Sequence, residues 1–439
     1  SEEEAHEEEE LTHEEPDGLW DVVEPYQYIR THTATSENTW YLNKSTIRAV
    51  AGYISNRRQE FEAHHHHEEE PETEESGEHP ALDMLLNTVS LNARWHSPEE
   101  RSFRLITGLQ GSLQDNANFG EEILIPDAQT VDAGGFLVAS TGGEEEILWQ
   151  SGVRYDMRSL NANQPDGSFS ADYANVSFQS GVSSRLTESL RVQAGIASGF
   201  RPPVLTELLA DGEHHGTFRY MIGNTELKPE RSYQMDLSIQ TSFRQFELTL
   251  APFLNRVIGY IYQQPTNETI DDLPVYHYVQ DDVTLMGGEW SVHFHPLNSN
   301  ALHVEIDQSL IIAQRDRGGL VNDVPGQQTR ATLRAEFFSD GGKFRKLGVY
   351  ATTVWSVMPE LSQSNAQLVS DYFLLHSGMS VEVPWLTSGA VVSVNVRNLF
   401  DRRYADVLSR YRSVGFYDQG RNVQLSLMVP VGFRSQQQP

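Results

Sequence analysis

The sequence predicts an all-β fold, an antiparallel up-and-down transmembrane β-barrel. Three observations carry that prediction: apolar residues recur with period two, connections alternate between short and long, and no apolar run approaches the roughly 18 residues that a membrane helix requires. Hydrophobic residues make up 38% of the chain, and mean hydropathy is -0.47. Those values exclude a helical membrane protein. They leave a barrel open, because a membrane strand needs an apolar residue only at every second position while its lumen and loops are polar.

The alternation is clearest in three segments. Leu190, Val192, Ala194 and Ile196 alternate with Arg191, Gln193, Gly195 and Ala197; Val392, Val394 and Val396 with Ser393, Asn395 and Arg397; Val423, Leu425, Leu427 and Val429 with Gln424, Ser426 and Met428. Each strand so formed has one greasy face and one polar or small face. Read along the whole chain, the pattern predicts seventeen strands, over 25–41, 46–61, 82–96, 101–114, 130–140, 145–158, 171–184, 188–199, 226–241, 243–262, 275–295, 300–314, 328–338, 344–357, 370–383, 389–399 and 419–431. No convincing amphipathic helix emerges.

Short connections fall at Asn43–Lys44, Ser97–Glu99, Gly142–Gly143 and Gly341–Gly342, and long ones at 62–81, 115–129, 200–225, 315–327 and 400–418. An outer-membrane barrel has short periplasmic turns and long extracellular loops, so the alternation also sets an orientation. An odd number of strands is unexpected in a bacterial barrel. About five further strands and a plug would complete a 22-stranded wall. The expected division is an acidic, His-bearing extracellular loop over 1–24, barrel strands and loops over 25–433 including the His/Glu-rich extracellular loop 62–81, and a tail over 434–439. Trp40, Tyr41, Trp95, Trp149, Tyr155, Tyr260, Tyr262, Trp290, Trp355, Tyr372 and Phe373 lie towards strand ends, where aromatic rings form interfacial girdles.

The formal charge of -30 argues against nucleic-acid binding, which needs clustered Lys and Arg, and the absence of cysteine excludes disulfides and thiolate metal sites. Ser1 to Glu10 is mostly glutamate and lacks the basic start and apolar run of a secretory signal, so the expectation is a mature chain or a fragment. Catalytic signatures are missing as well: there is no nucleophile elbow, P-loop or HExxH, and the pairs Asp271–Asp272 and Asp281–Asp282 are ordinary in turns. No enzyme is expected.

Several segments taken together carry a family likeness. They are SGFRPPVLTELLADGEHHGTFRYMIGNTELKPERSYQMDLSI (Ser198 to Ile239), VNVRNLFDRRYADVLSRYR (Val394 to Arg412), GRNVQLSLMVPVGF (Gly420 to Phe433), NRRQEFE (Asn56 to Glu62) and NFGEEILIPD (Asn118 to Asp127). In FRPP the paired prolines cannot donate to a ladder and end a strand, and the proline of NTELKPERS stands at the start of one. In RNLFDRRY the polar cluster turns the chain after Phe400, leaving Arg402 and Arg403 to pair with lumenal or plug acids. The set resembles the barrel half of TonB-dependent outer-membrane receptors, especially those of Bacteroidetes-like bacteria, from about Pro25 to Phe433. The resemblance implies a multi-pass barrel in the outer membrane of a Gram-negative bacterium, set in lipid and lipopolysaccharide. It also implies import powered by the TonB–ExbB–ExbD complex, with no cofactor required. The family's N-terminal plug and TonB-engaging peptide are not found in the sequence.

Chemistry is expected in the outer loops. Neutral imidazoles and carboxylates suit zinc, copper, nickel or cobalt, and His6, His13, His64, His65, His66, His67, Glu68, His79, His214 and His215 are the candidate ligands. Members of the family with His-rich loops resemble zinc importers. The competing reading is a solvated acidic loop that merely contains histidines, or one that bridges lipopolysaccharide through divalent cations. The functional expectation is import of a metal ion, zinc or similar, or of a metal chelate. A siderophore, haem or other nutrient receptor of the same fold, or a non-transporting surface barrel, are the alternatives.

Overall fold

The structure is a computed structural model that describes residues 26–61, 80–98, 103–120, 123–142, 147–164, 167–214, 219–296, 301–321, 323–339, 344–358, 370–384, 389–410, 412 and 415–431. The 1–24 loop, most of the 62–81 loop and the 434–439 tail lie outside them.

The described residues form nineteen strands and one short helix. They are β1 (Tyr26–Leu42), β2 (Ser45–Phe61), β3 (Leu82–His96), β4 (Phe103–Asn118), β5 (Asp127–Thr141), β6 (Leu148–Gln164), β7 (Gly167–Thr187), β8 (Leu190–Arg201), α1 (Leu205–Leu209), β9 (Asp211–His214) and β10 (Arg219–Ile222). The chain continues as β11 (Glu230–Phe243), β12 (Phe246–Ile270), β13 (Leu273–Phe294), β14 (Leu302–Arg315), β15 (Gln327–Phe338), β16 (Lys346–Val357), β17 (Tyr372–Val383), β18 (Ala390–Arg397) and β19 (Asn422–Met428).

Each strand from β1 to β7 pairs antiparallel with the next, β8 pairs with β11, and β11 to β19 continue the meander. Setting aside β9 and β10, the strands of this wall are the seventeen that periodicity predicts. No ladder joins β1 to β19 among the described residues.

Register sorts the side chains into two faces. Val89, Leu113 and Val131 stand opposite one another across β3, β4 and β5, and Leu137 stands opposite Val153 on β6. These residues are exposed, as apolar side chains turned towards lipid must be. The opposite face carries an ionic ladder. Arg158 donates to Asp132 at 2.7 and 2.9 Å, and Arg154 donates to Asp156 at 2.7 Å and to Gln110 at 2.5 Å. This polar face lines the lumen. Of the predicted girdle, Trp40, Tyr41, Trp149, Tyr155, Trp355 and Phe373 are exposed; Tyr260 packs against Val283, Ala313 and Val321, Tyr262 accepts from Arg315, and Tyr372 turns inward, 4.6 Å from the Tyr404 ring, and donates to Asp406 at 2.8 Å.

Strands reach further at the long-loop end than hydrophobicity predicts. β12 and β13 extend to a two-residue turn at Asp271–Asp272, whose φ values of 47° and 59° give the left-handed pair that a tight hairpin requires. Asp281–Asp282 is structural too. Asp282 accepts from the Gly259 amide at 2.9 Å where β12 is bulged.

Candidate functional site

The segment between β8 and β11 folds into the outer mouth of the lumen. Arg201 ends β8, Pro202 and Pro203 deny the ladder further donors, and α1 begins at Leu205. Leu208 and Leu209 bury themselves against Ala128, Leu160, Ala162 and Ile261, lumenal residues of β5, β6 and β12. Gly223 permits the return path, since a Cβ there would meet the Leu208 backbone at 2.6 Å. β10 then adds in parallel to the exposed edge of β13, pairing Tyr220 with Val275.

An ionic clamp holds this cap. Arg201 reaches Glu230 at 2.5 and 2.8 Å and Glu207 at 2.9 Å. Both carboxylates also accept backbone amides, Glu207 from Val204 at 2.9 Å and Glu230 from Ile261 at 2.8 Å. Motif residues join in: the Asn224 amide donates to the Glu207 carbonyl at 2.8 Å, and Gln280 donates to the carbonyls of Lys228 at 2.6 Å and Gly259 at 2.8 Å.

Beneath the cap lies a cavity of about 340 Å³ lined by Leu82, Met84, Asn118, Leu124, Ile125, Thr206, Met221, Gln263, Tyr278 and Arg410. Its size and mainly apolar lining suit a small ligand held by a few polar groups. Those groups are connected. Gln263 donates to the Tyr278 hydroxyl at 2.8 Å and accepts from Arg219 at 3.3 Å. Arg219 is 4% exposed, stacks 4.2 Å from the Tyr276 ring centroid, and its Nε has no hydrogen-bond partner among the described residues. Burial, together with Arg410 and Arg412, holds the Arg219 guanidinium below its ordinary value, against the opposing pull of Tyr276 and Asp323. Arg412 is buried and donates to Asp323 at 2.5 Å. Arg219 therefore stands within electrostatic reach of Arg410 and Arg412, while Asp323 meets the Arg412 charge.

The RNLFDRRY segment opens the connection that carries Arg410 and Arg412. Asn398 is 2% exposed and takes a left-handed φ of 48°. Its amide nitrogen donates to the Arg402 carbonyl at 2.8 Å and its oxygen accepts the Arg402 amide at 2.9 Å. Arg402 thus contributes its backbone, and no ion pair joins Arg402 or Arg403 to a carboxylate among the described residues. Asn398→Ala should cost about 2 kcal/mol, because the part-buried N–H and C=O of Arg402 lose their partner and the left-handed backbone is left to a residue that disfavours it. A thermal melt and protease cleavage within 399–421 measure it, and an unchanged cleavage rate would refute this role.

Of the expected metal ligands, His6, His13, His64, His65, His66, His67, Glu68, His79 and His215 lie outside the described residues. His214 ends β9, with its backbone opposite Arg219. Sequence reasoning missed two groups. One is the group Arg219, Arg410 and Arg412, gathered from β10 and the β18–β19 connection. The other is a cluster of three imidazoles, His293, His295 and His303, at the short-turn end of the lumenal face. Burial and its two neighbours hold His295 below the usual histidine range.

A family model described as TonB dependent receptor-like, beta-barrel, matches residues 11–399. Among solved structures, the chain is similar to the copper transporter OprC, with 14% identity and a TM-score of 0.72 over 91% of this chain and 65% of that one. It is also similar to the FrpB iron transporter from Neisseria meningitidis, with 14% identity and a TM-score of 0.65 over 92% and 63%. A third is the Serratia marcescens hemophore receptor HasR, solved as a double mutant with its hemophore HasA and heme, with 15% identity and a TM-score of 0.64 over 92% and 66%. At such identity the likeness is one of fold, and the chain spans slightly under two thirds of each of these proteins.

Proposed function

The chain belongs to the TonB-dependent receptor family of β-barrels, and from that premise we propose that it forms the wall of an outer-membrane importer whose outer vestibule receives an anionic metal chelate. The arginines at the mouth carry this reading. In a chain of net charge -30, Arg410 lines the cavity, Arg219 stands within electrostatic reach of Arg410 and Arg412, and the buried Arg219 Nε has no hydrogen-bond partner among the described residues. A ligand with carboxylate or catecholate oxygens would supply that acceptor, and charge-assisted bonds to guanidinium are the strong kind. Tyr276, Tyr278 and the apolar lining would hold its organic body. Uptake against a gradient would draw on TonB–ExbB–ExbD, as in the family.

A second reading is import of a bare divalent ion, favoured by the density of His and Glu in the 1–24 and 62–81 segments. Titrating the full chain in detergent with ferric citrate, a ferric tricatecholate and zinc chloride separates the two. The expected result is binding of a ferric chelate that weakens with salt and falls roughly tenfold in Arg219→Gln or Arg410→Gln. Zinc binding without any chelate binding would defeat the first reading and leave the second.

A further inference from the structure

We infer that the short-turn end of the lumenal face carries a divalent-metal site built from His293, His295 and His303, with Glu305 as the fourth ligand. It uses none of the vestibule residues and does not depend on how the vestibule is read.

The geometry follows from strand register. β13 leaves His293 and His295 two residues apart, hence on one face. The β13–β14 ladder sets Phe294 opposite Val304 and His293 opposite Glu305. One further step along that ladder brings His303 alongside His295, with ring centroids 4.5 Å apart. His293 and His295 rings are 4.3 Å apart, and His293 and His303 rings 5.3 Å. The ligand nitrogens of the three all lie within 4.8 Å of one another.

Nitrogens bound to one tetrahedral zinc stand about 3.3 Å apart, given Zn–N bonds of about 2.0–2.1 Å. The His293 Nε2 to His303 Nδ1 separation is already 3.1 Å, and Glu305 Oε1 lies 3.6 Å from His293 Nε2. The third imidazole has to close in, and Glu305, which lies outside the group of three and is held by Arg334, has to swing towards it. A metal ion would take the place of the hydrogen bond between His293 and His303.

Two further observations point to a ligand. His295 Nδ1 is a buried ring nitrogen without a hydrogen-bond partner among the described residues, an uncommon state for a polar atom that a metal ion would resolve. The backbone of His295 is also held rather than loose, its amide donating to the Gln245 carbonyl at 2.8 Å. Arg334 opposes a cation here. Its charge is met by Glu305 at 3.2 Å and Glu336 at 4.0 Å, and Glu247 stands opposite His293 on β12. Three imidazoles and a carboxylate select late first-row divalent ions such as zinc, copper, nickel and cobalt over magnesium or calcium, which prefer oxygen ligands. Short turns face the periplasm in an outer-membrane barrel, so the site lies at the exit end of the lumen.

The test uses the full chain with His64, His65, His66 and His67 changed to Gln, which removes the densest run of background ligands in the sequence. Calorimetry with zinc chloride should show one strong site per chain. Binding should weaken by about 100-fold or more in His293→Gln/His303→Gln, since two ligands are lost. Arg334→Gln should bind several-fold tighter, because Glu305 is released and a nearby cation removed. That gain would not arise if the cluster were only packing, and it does not depend on a variant that might fail to fold. X-ray absorption of the zinc-loaded chain should show three imidazoles. Equal affinity in the double variant, no gain in Arg334→Gln, or a spectrum with fewer than three imidazoles would overturn the proposal.

Discussion

Leu109→Arg should destabilise the wall in a bilayer by about 3 kcal/mol, whereas Ser90→Arg on the neighbouring strand should change stability by no more than about 0.5 kcal/mol. Leu109 is 71% exposed and sits midway along β4, in an outward row with Leu105, Thr107 and Leu113. Its register partners Ala93 and Gly135 are small and leave it uncovered, and its place in the outward row turns it towards lipid. A guanidinium near the bilayer midplane must snorkel or draw in water. Ser90 pairs with Gly52 and Ser112 on the lumenal face, where Asp132 is close to Ser112 at 3.4 Å and water is at hand. Urea unfolding in vesicles, followed by tryptophan fluorescence, reads the difference. Equal effects of the two substitutions would show that the faces have been assigned wrongly.

The second large effect concerns the clamp of the cap. Arg201→Ala leaves Glu207 and Glu230, whose side chains are only 12% and 13% exposed, without their shared cation. Breaking a buried pair from one side costs about 3–5 kcal/mol, and the lower end applies because the Arg201 side chain is 40% exposed. The loss should be local. Amide exchange at Val204 and Ile261, which donate to the two carboxylates, should accelerate roughly 100-fold while β3 to β6 keep their protection. Arg201→Lys should recover little, because a point charge cannot engage two carboxylates with paired bonds as a guanidinium does. Unchanged exchange at both amides would remove the clamp from the account of how the vestibule is held.

The strands were legible because their signal is local. Every second residue answers to one face, so Leu190 to Ile196 or Val423 to Leu427 declare a strand without reference to any partner, and FRPP and LKPE mark ends for reasons of backbone chemistry alone. The cap was not legible. α1 spans five residues, too few for a helical period to emerge, and β9 and β10 span four each. Those short elements stand only because Leu208 and Leu209 find Ala128, Leu160 and Ile261, residues far away in sequence.

The metal-ligand reading favoured density, and density drew it to His64–His67 and the acidic segments. His293, His295 and His303 are sparser, yet an H-x-H at one strand end and a histidine opening the next strand would have pointed to them, had register been weighed above count. No such local signal existed for Arg219, Arg410 and Arg412.

By itself, then, the sequence determined the period, number and order of the wall strands and which residues share a face, because pleat and propensity act between near neighbours. Which chemistry stands at each end of the lumen was decided only by tertiary structure. Ladder register and the inward fold of one long connection bring together charges and imidazoles that no spacing along the chain relates.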